Sequence, residues 1–181
     1  MKSSTFWKAV LVDRDNLLEQ VLSALSESGV RYCVIGGAGV NAYAYPVVTE
    51  DLDLVVAADQ IDRLEASLAR RFKVRRFAHS INISMPDSKL QVQIQTDERY
   101  FAFLERAEVR NVLDYQLPVA RIEDLLQGKI WAALDRTRRP SKQLKDLSDI
   151  ARILEVSPDL RTRVPHEILA RIPGQDAGGD Q

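Results

Sequence analysis

The stretch with the most chemical content is Val34-Ile35-Gly36-Gly37-Ala38-Gly39, followed by Val48-Thr49-Glu50-Asp51-Leu52-Asp53-Leu54-Val55. In an extended chain, side chains two residues apart share a face, so Asp51 and Asp53 project together while Leu52 and Leu54 project into a core. Two carboxylates held ~5–7 Å apart repel each other unless something positive lies between them. An oxygen-preferring divalent cation, Mg²⁺ or Mn²⁺, suits that place. Gly36 and Gly37 lack Cβ atoms, which permits positive φ and close backbone approach, and a helix starting at Ala38 would aim free N–H groups at a phosphate. Joined, the two features suit a nucleoside triphosphate bridging the glycine turn and the metal, with Thr49 placed to hydrogen-bond nearby. Taken alone, Gly36-Gly37 equally suits an ordinary turn, and Asp51-Leu52-Asp53 a solvated strand end.

Positioning these residues requires particular elements. Leu17, Leu18, Val21, Leu22 and Leu25 recur at helical spacing within residues 13–28, and Gly29 stops the helix. Tyr32-Cys33-Val34-Ile35 reads as a strand, residues 38–45 as a short helix closed by Pro46, Leu52 to Val56 as a second strand, and residues 59–71 as a helix. Residues 80–85 and 89–95 form a hairpin about Pro86-Asp87-Ser88. Residues 99–108 read as helix and Tyr115 to Val119 as an extended edge piece near Pro118. Two helices follow, over 122–134 and 142–154, the second placing Leu144, Leu147, Ile150, Ala151 and Leu154 on one face. The expected fold class is α/β (α+β), a mixed sheet with flanking helices and a helical C-terminal half. One domain is expected over residues 1–172, with its sheet core about 30–120 and helical part about 121–156; residues 173–181 have nothing to bury and are expected to be disordered.

Composition excludes several classes. The 181 residues carry 25 Lys and Arg against 26 Asp and Glu, a formal charge of −1, so the chain is no polycation built to coat nucleic acid. The basic run Arg136, Arg138, Arg139, Lys142 and Lys145 could form a local nucleic-acid surface, although a solvated loop between helices explains it as well. The single cysteine, Cys33, sits in an apolar run and excludes a disulfide framework. With neither a signal-type apolar region nor a stretch long enough to cross a bilayer, a soluble cytoplasmic protein without a membrane partner is expected. His79 and His166 lack partners at ligand spacing, Ser80, Ser84 and Ser88 lack a nucleophile elbow, and no Walker A motif is present. Trp7 and Trp131 are read as core or interface anchors rather than base-stacking platforms, because no aromatic cluster accompanies them on a basic face.

Strand, Gly-Gly, short helix and Asp-x-Asp at the head of the next strand, with thirteen residues between Gly37 and Asp51, resemble the DNA polymerase β-type nucleotidyltransferase superfamily. The stretch Glu123 to Ala133, followed by Lys145-Asp146-Leu147-Ser148-Asp149-Ile150, resembles the AbiEii-type branch found in abortive-infection and toxin–antitoxin systems. The likeness covers most of residues 30–155. It implies that Gly36 and Gly37 hold the triphosphate, that Asp51 and Asp53 bind Mg²⁺ as the catalytic pair, and that Lys129 and Lys145 neutralise phosphate charge. Asp146 and Asp149 would be the acidic helix positions of the branch, although Lys145 and Asp149 also read as an ordinary i,i+4 helix pair.

The strand Lys89 to Asp97 departs from that pattern. Superfamily members that transfer nucleotides usually carry a third carboxylate there, and here Gln91, Gln93 and Gln95 occupy the polar face. A glutamine carbonyl offers a metal one neutral oxygen but cannot act as a general base. Three readings result: a metal-dependent enzyme moving a nucleoside monophosphate onto an RNA or protein hydroxyl; a catalytically impaired relative binding a nucleotide or a cognate toxin or antitoxin partner; or an unrelated α/β module.

Overall fold

The computed structural model describes residues 16–174. Seven strands form one mixed sheet: β1 (Tyr32–Ile35), β2 (Asp51–Val56), β3 (Lys73–Arg76), β4 (Ser80–Ser84), β5 (Gln91–Gln95), β6 (Glu108–Val112) and β7 (Tyr115–Val119), in the order β3-β4-β5-β2-β1-β7-β6. The helices are α1 (Leu17–Ser28), α2 (Gly36–Asn41), α3 (Ile61–Leu68), α4 (Ile122–Leu134), α5 (Pro140–Val156) and α6 (His166–Leu169), with 3₁₀ turns at Ala58–Gln60, Glu98–Arg106 and Pro158–Arg163.

The strands that carry the motif lie near the centre of the sheet. β2 runs antiparallel to β1, with Ile35 opposite Asp53, and parallel to β5, with Asp51 opposite Gln91 and Asp53 opposite Gln93. Leu52, Leu54, Val92 and Ile94 are fully or almost fully buried on the other face, and this burial fixes the register. A slip of one residue would drive Asp53 into the core and expose the leucines. The hairpin of β4 and β5 forms as the turn residues predict, with Asn82 opposite Gln93.

Several expectations are corrected. α2 begins on Gly36 itself rather than at Ala38, and it ends at Asn41 rather than Tyr45. There the Asn41 side chain accepts from the Val47 N–H and donates to its carbonyl, drawing the chain into a loop. The helix expected over 59–71 is a 3₁₀ turn followed by α3, and β3 then follows as an unforeseen edge strand. The segment expected to be helical over 99–108 is a 3₁₀ turn that gives way to β6. β6 pairs with β7 through a tight turn in which Leu113 and Asp114 both hold positive φ (52° and 69°). β7 is therefore interior rather than an edge, and Pro118 is tolerated because β1 engages β7 only at its end, Val34 opposite Val119. Leu144 is 66 % exposed instead of joining the buried face of α5. That helix packs through Leu147, Ile150, Ile153 and Leu154, and Pro140 in its first turn starts it two residues earlier than expected. The expected tail at 173–181 lies outside the described residues from 175 onward.

Candidate active site

Ile35 ends β1 and Gly36 turns the chain into α2 directly against the neighbouring strand. Gly36 has φ +65°, and a Cβ placed on it would lie 2.0 Å from Asp53 Oδ2. Only glycine fits, for two separate reasons: the left-handed backbone and the adjacent carboxylate. Gly37 is less demanding, since a Cβ there would meet Thr49 Oγ1 at 3.6 Å and Asp149 Oδ2 at 3.8 Å, both ordinary contacts.

Asp53 faces a pocket of about 570 Å³, open mouth included, lined by Gly36, Gln93, Lys129, Arg138 and Asp146 among others. Among the described residues, no hydrogen bond or ion pair reaches the Asp53 carboxylate. Burial raises its pKa above the ordinary carboxylate value; the Lys129 charge opposes that rise and the Asp51 charge adds to it.

Asp51, one strand pleat away, does have partners. Lys142 donates to its Oδ2 at 3.1 Å, and Lys145 Nζ lies 3.9 Å from the same oxygen. Lys145 also donates to Thr49 Oγ1 at 3.4 Å, and Thr49 is buried with that hydroxyl bonded to the backbone of Asp51. Thr49 and Lys145 thus join the two carboxylates and the glycine pair in one cluster.

Lys129 lies deeper. Its ammonium sits 3.1 Å from Asp146 Oδ1 and 2.6 Å from Asp149 Oδ2, all three side chains buried. Burial works against that charge, but Asp149 and Asp146 outweigh it and hold the Lys129 pKa above the usual lysine value. Arg138 Nε donates to Asp146 Oδ2 at 2.5 Å and Arg152 Nη1 to Asp149 Oδ1 at 2.8 Å. Arg152 also donates to Asn41 Oδ1 and the Tyr45 carbonyl, both at 2.6 Å, tying α5 to the loop beyond α2. Asp146 and Asp149 therefore anchor the cationic wall behind the pocket.

Residue chemistry fits one hard cation better than two. Asp51 and Asp53 supply anionic oxygens and Gln93, directly across the sheet from Asp53, supplies a neutral amide oxygen. Among the described residues, no three His, Cys, Asp or Glu side chains gather as a ready metal site. Asp97 does not replace the third acid: its carboxylate caps the Glu98–Arg106 turn and is paired with Arg99 at 2.7 Å, and the Arg99 hydrogen bond lowers its pKa.

Sequence reading missed Lys142, Arg138 and Arg152. The basic run was open to a solvated-loop reading, yet Lys142, Lys145, Asp149 and Arg152 fall at i, i+3, i+7 and i+10, one face of a helix, and that spacing was the available signal. Trp131 does pack against the core, but the expectation that no aromatic cluster accompanies it is corrected, since Tyr100 and Phe103 pack on it and Arg99 lies over its ring. Trp7 lies outside the described residues.

Among solved structures, the fold is similar to the antibiotic-resistance factor ANT(2'')-Ia (13% identity, TM-score 0.55, covering 81% of this chain and 90% of that chain). It is also similar to the lincosamide antibiotic adenylyltransferase LnuA with lincomycin bound (15% identity, TM-score 0.52, covering 79% and 99%). A third similar structure is a putative nucleotidyltransferase from Thermotoga maritima (17% identity, TM-score 0.51, covering 74% and 91%). At these identities the likeness establishes the fold. A search of the curated proteins found no match. The model of the family described as nucleotidyl transferase AbiEii toxin, type IV toxin–antitoxin system, matches residues 20–174. The chain accordingly belongs to the AbiEii nucleotidyltransferase family.

Proposed function

We propose that this chain is a metal-dependent nucleotidyltransferase that moves a nucleoside monophosphate from a nucleoside triphosphate to a hydroxyl on RNA or protein, within a toxin–antitoxin or phage-defence system. The observation that carries this reading is the Asp53 carboxylate, held without a protein partner against the Cα of Gly36 and one pleat from Asp51. Asp51 and Asp53 would hold Mg²⁺ or Mn²⁺, with Gln93 offering its amide oxygen. When bound, the cation supplies charge neutralisation and polarisation of the phosphate oxygens.

The remaining work belongs to the chain's own side chains. Lys145 and Lys142 stand at Thr49 and Asp51, where they neutralise the β- and γ-phosphates, while Gly37 is buried beneath Thr49, Asp149 and Lys145 and supports the turn. Lys129 acts as a buried counter-charge behind Asp53 and is engaged by Asp146 and Asp149. The acceptor oxygen attacks the α-phosphorus, the bond to the bridging oxygen of the β-phosphate breaks, and pyrophosphate leaves. The acceptor proton passes to solvent or to a substrate phosphate oxygen, because the Gln93 amide cannot take it.

A second reading rests on that same glutamine: a protein that binds nucleotide, or a cognate partner, without turnover. Incubation with each α-labelled triphosphate, Mg²⁺ and total RNA or protein separates the two. Label transfer that disappears in Asp53→Asn supports the enzyme. Transfer that persists in both Asp51→Asn and Asp53→Asn removes this site, and Mg²⁺-dependent binding with no transfer favours the second reading. Among the described residues, no helix is long and apolar enough to cross a membrane.

A further inference from the structure

Beside the carboxylate pocket lies a second cavity of about 930 Å³, mouth included, and the two share Gln95, Tyr100, Ala132 and Arg138. Trp131 lines this second cavity. Phe103 stacks on it nearly parallel, with 9° between planes and 5.9 Å between centroids, while Tyr100 meets it edge-on at 5.2 Å and 79°. These contacts fix the indole plane. The Arg99 guanidinium lies over the ring, its Cζ 5.0 Å from the centroid, held there by Asp97. A flat, delocalised group thus already rests on the indole. Arg99 is itself 55 % exposed, and a base stacking on the indole takes its place at the expense of its pair with Asp97.

Polar groups surround this platform. The Gln95 carboxamide is oriented because its Oε1 accepts from the backbone N–H groups of Thr96 and Asp97, and among the described residues no hydrogen bond takes its NH₂. His79, Arg138 and Asp135 add further donors and acceptors around the cavity. An aromatic platform, hydrogen-bonding groups at its margin and a wall shared with the carboxylate pocket are what a purine or pyrimidine ring requires.

We propose that this cavity is a nucleobase subsite, in which a base stacks on Trp131 while Gln95 and Arg138 read its edge. The inference rests on the nucleotidyl-transfer reading of the adjoining pocket and adds to it where base selectivity resides. The base can come from either of two sources, the donor triphosphate or the terminal nucleotide of an RNA acceptor.

The test uses the full chain with Trp7→Phe, which leaves Trp131 as the only tryptophan. In Mg²⁺, Trp131 emission is followed during titration with inorganic tripolyphosphate, with each of four nucleoside triphosphates, and with trinucleotide RNAs ending in each base. Binding of tripolyphosphate is read separately by thermal unfolding. Quenching by one or more triphosphates identifies the donor base, and quenching by trinucleotides alone identifies the acceptor base; tripolyphosphate leaves emission unchanged in both cases. In Trp131→Leu, affinity for the quenching ligand falls about tenfold while tripolyphosphate affinity holds. If that variant does not fold, the emission measurement decides alone. Absence of quenching by every nucleotide and oligonucleotide, or equal quenching by tripolyphosphate, overturns the subsite whether or not tripolyphosphate binds. Failure of tripolyphosphate to bind while a nucleotide still quenches overturns the phosphate site instead and leaves the base subsite standing.

Discussion

Gly36 and Asp53 sit so close that a single methyl group on Gly36 would overlap Asp53 Oδ2, at 2.0 Å. The glycine therefore sets where the carboxylate stands as well as how the chain turns. Gly36→Ala should cost more than the ~1–2 kcal/mol of a left-handed non-glycine residue, because Asp53 must also move. It should also abolish Mg²⁺-dependent nucleotide binding. Gly37→Ala should keep the fold and most of that binding, as its Cβ would make only ordinary contacts. Urea unfolding and calorimetric titration of both variants check the contrast.

The buried network of Lys129, Asp146, Asp149, Arg138 and Arg152 should respond strongly to the loss of one member. Lys129→Met leaves two buried carboxylates short of a partner, a change worth about 3–5 kcal/mol. A fall in the urea midpoint at unchanged slope is the expected result.

Lys142 differs, since its pair with Asp51 is about one-third exposed on both sides. Lys142→Met should change stability by less than about 1 kcal/mol. Triphosphate affinity should fall with little change for the nucleoside monophosphate, a difference that competition titration resolves.

Replacing Gln93 by Asp or Glu puts a third carboxylate opposite Asp53. Without metal, like-charge repulsion should lower stability; with Mg²⁺, stability should recover and transfer should rise, in unfolding curves and label-transfer assays respectively.

Cys33 is fully buried, and burial, aided by the Asp124 charge, pushes its thiol up to about 12. Above the ordinary thiol value of about 8.5, the unfolded chain loses this proton and the folded chain keeps it. The unfolded state then binds fewer protons, so the Cys33 contribution to stability falls by about 1.4 kcal/mol per pH unit until the folded thiol also ionises near 12. Stability curves of the native chain and Cys33→Ala should diverge over that window. Thiol reagents should label the native protein only through unfolding.

The central sheet was legible because β1, β2, β4 and β5 alternate cleanly or run apolar between glycine and proline punctuation. Strand parity likewise put Gln91, Gln93 and Gln95 on the polar face, but only the pairing of β5 with β2 sets Gln93 opposite Asp53. The β6–β7 hairpin was hidden because Leu113-Asp114 makes its positive-φ turn without the usual Asn-Gly or Asp-Gly signal. The aromatic cluster was hidden for a different reason. Tyr100, Phe103 and Trp131 come from a 3₁₀ turn and a helix distant in sequence, and only the packing of α4 against that turn brings them together. Lys142 and Arg138 looked like loop charges, since their partners Asp51 and Asp146 are identifiable only once α5 is seen crossing the site.

The most direct test of the account is thermal unfolding with ATP, GTP, CTP or UTP, with and without Mg²⁺, on the native chain and on Asp51→Asn/Asp53→Asn. A ligand at a hundred times its Kd adds about 2.7 kcal/mol, a shift of roughly 5–10 °C for a chain of this size. Such a shift is expected for at least one triphosphate, only with Mg²⁺, and lost in the double variant. No shift with any triphosphate, or an equal shift in the double variant, would contradict it.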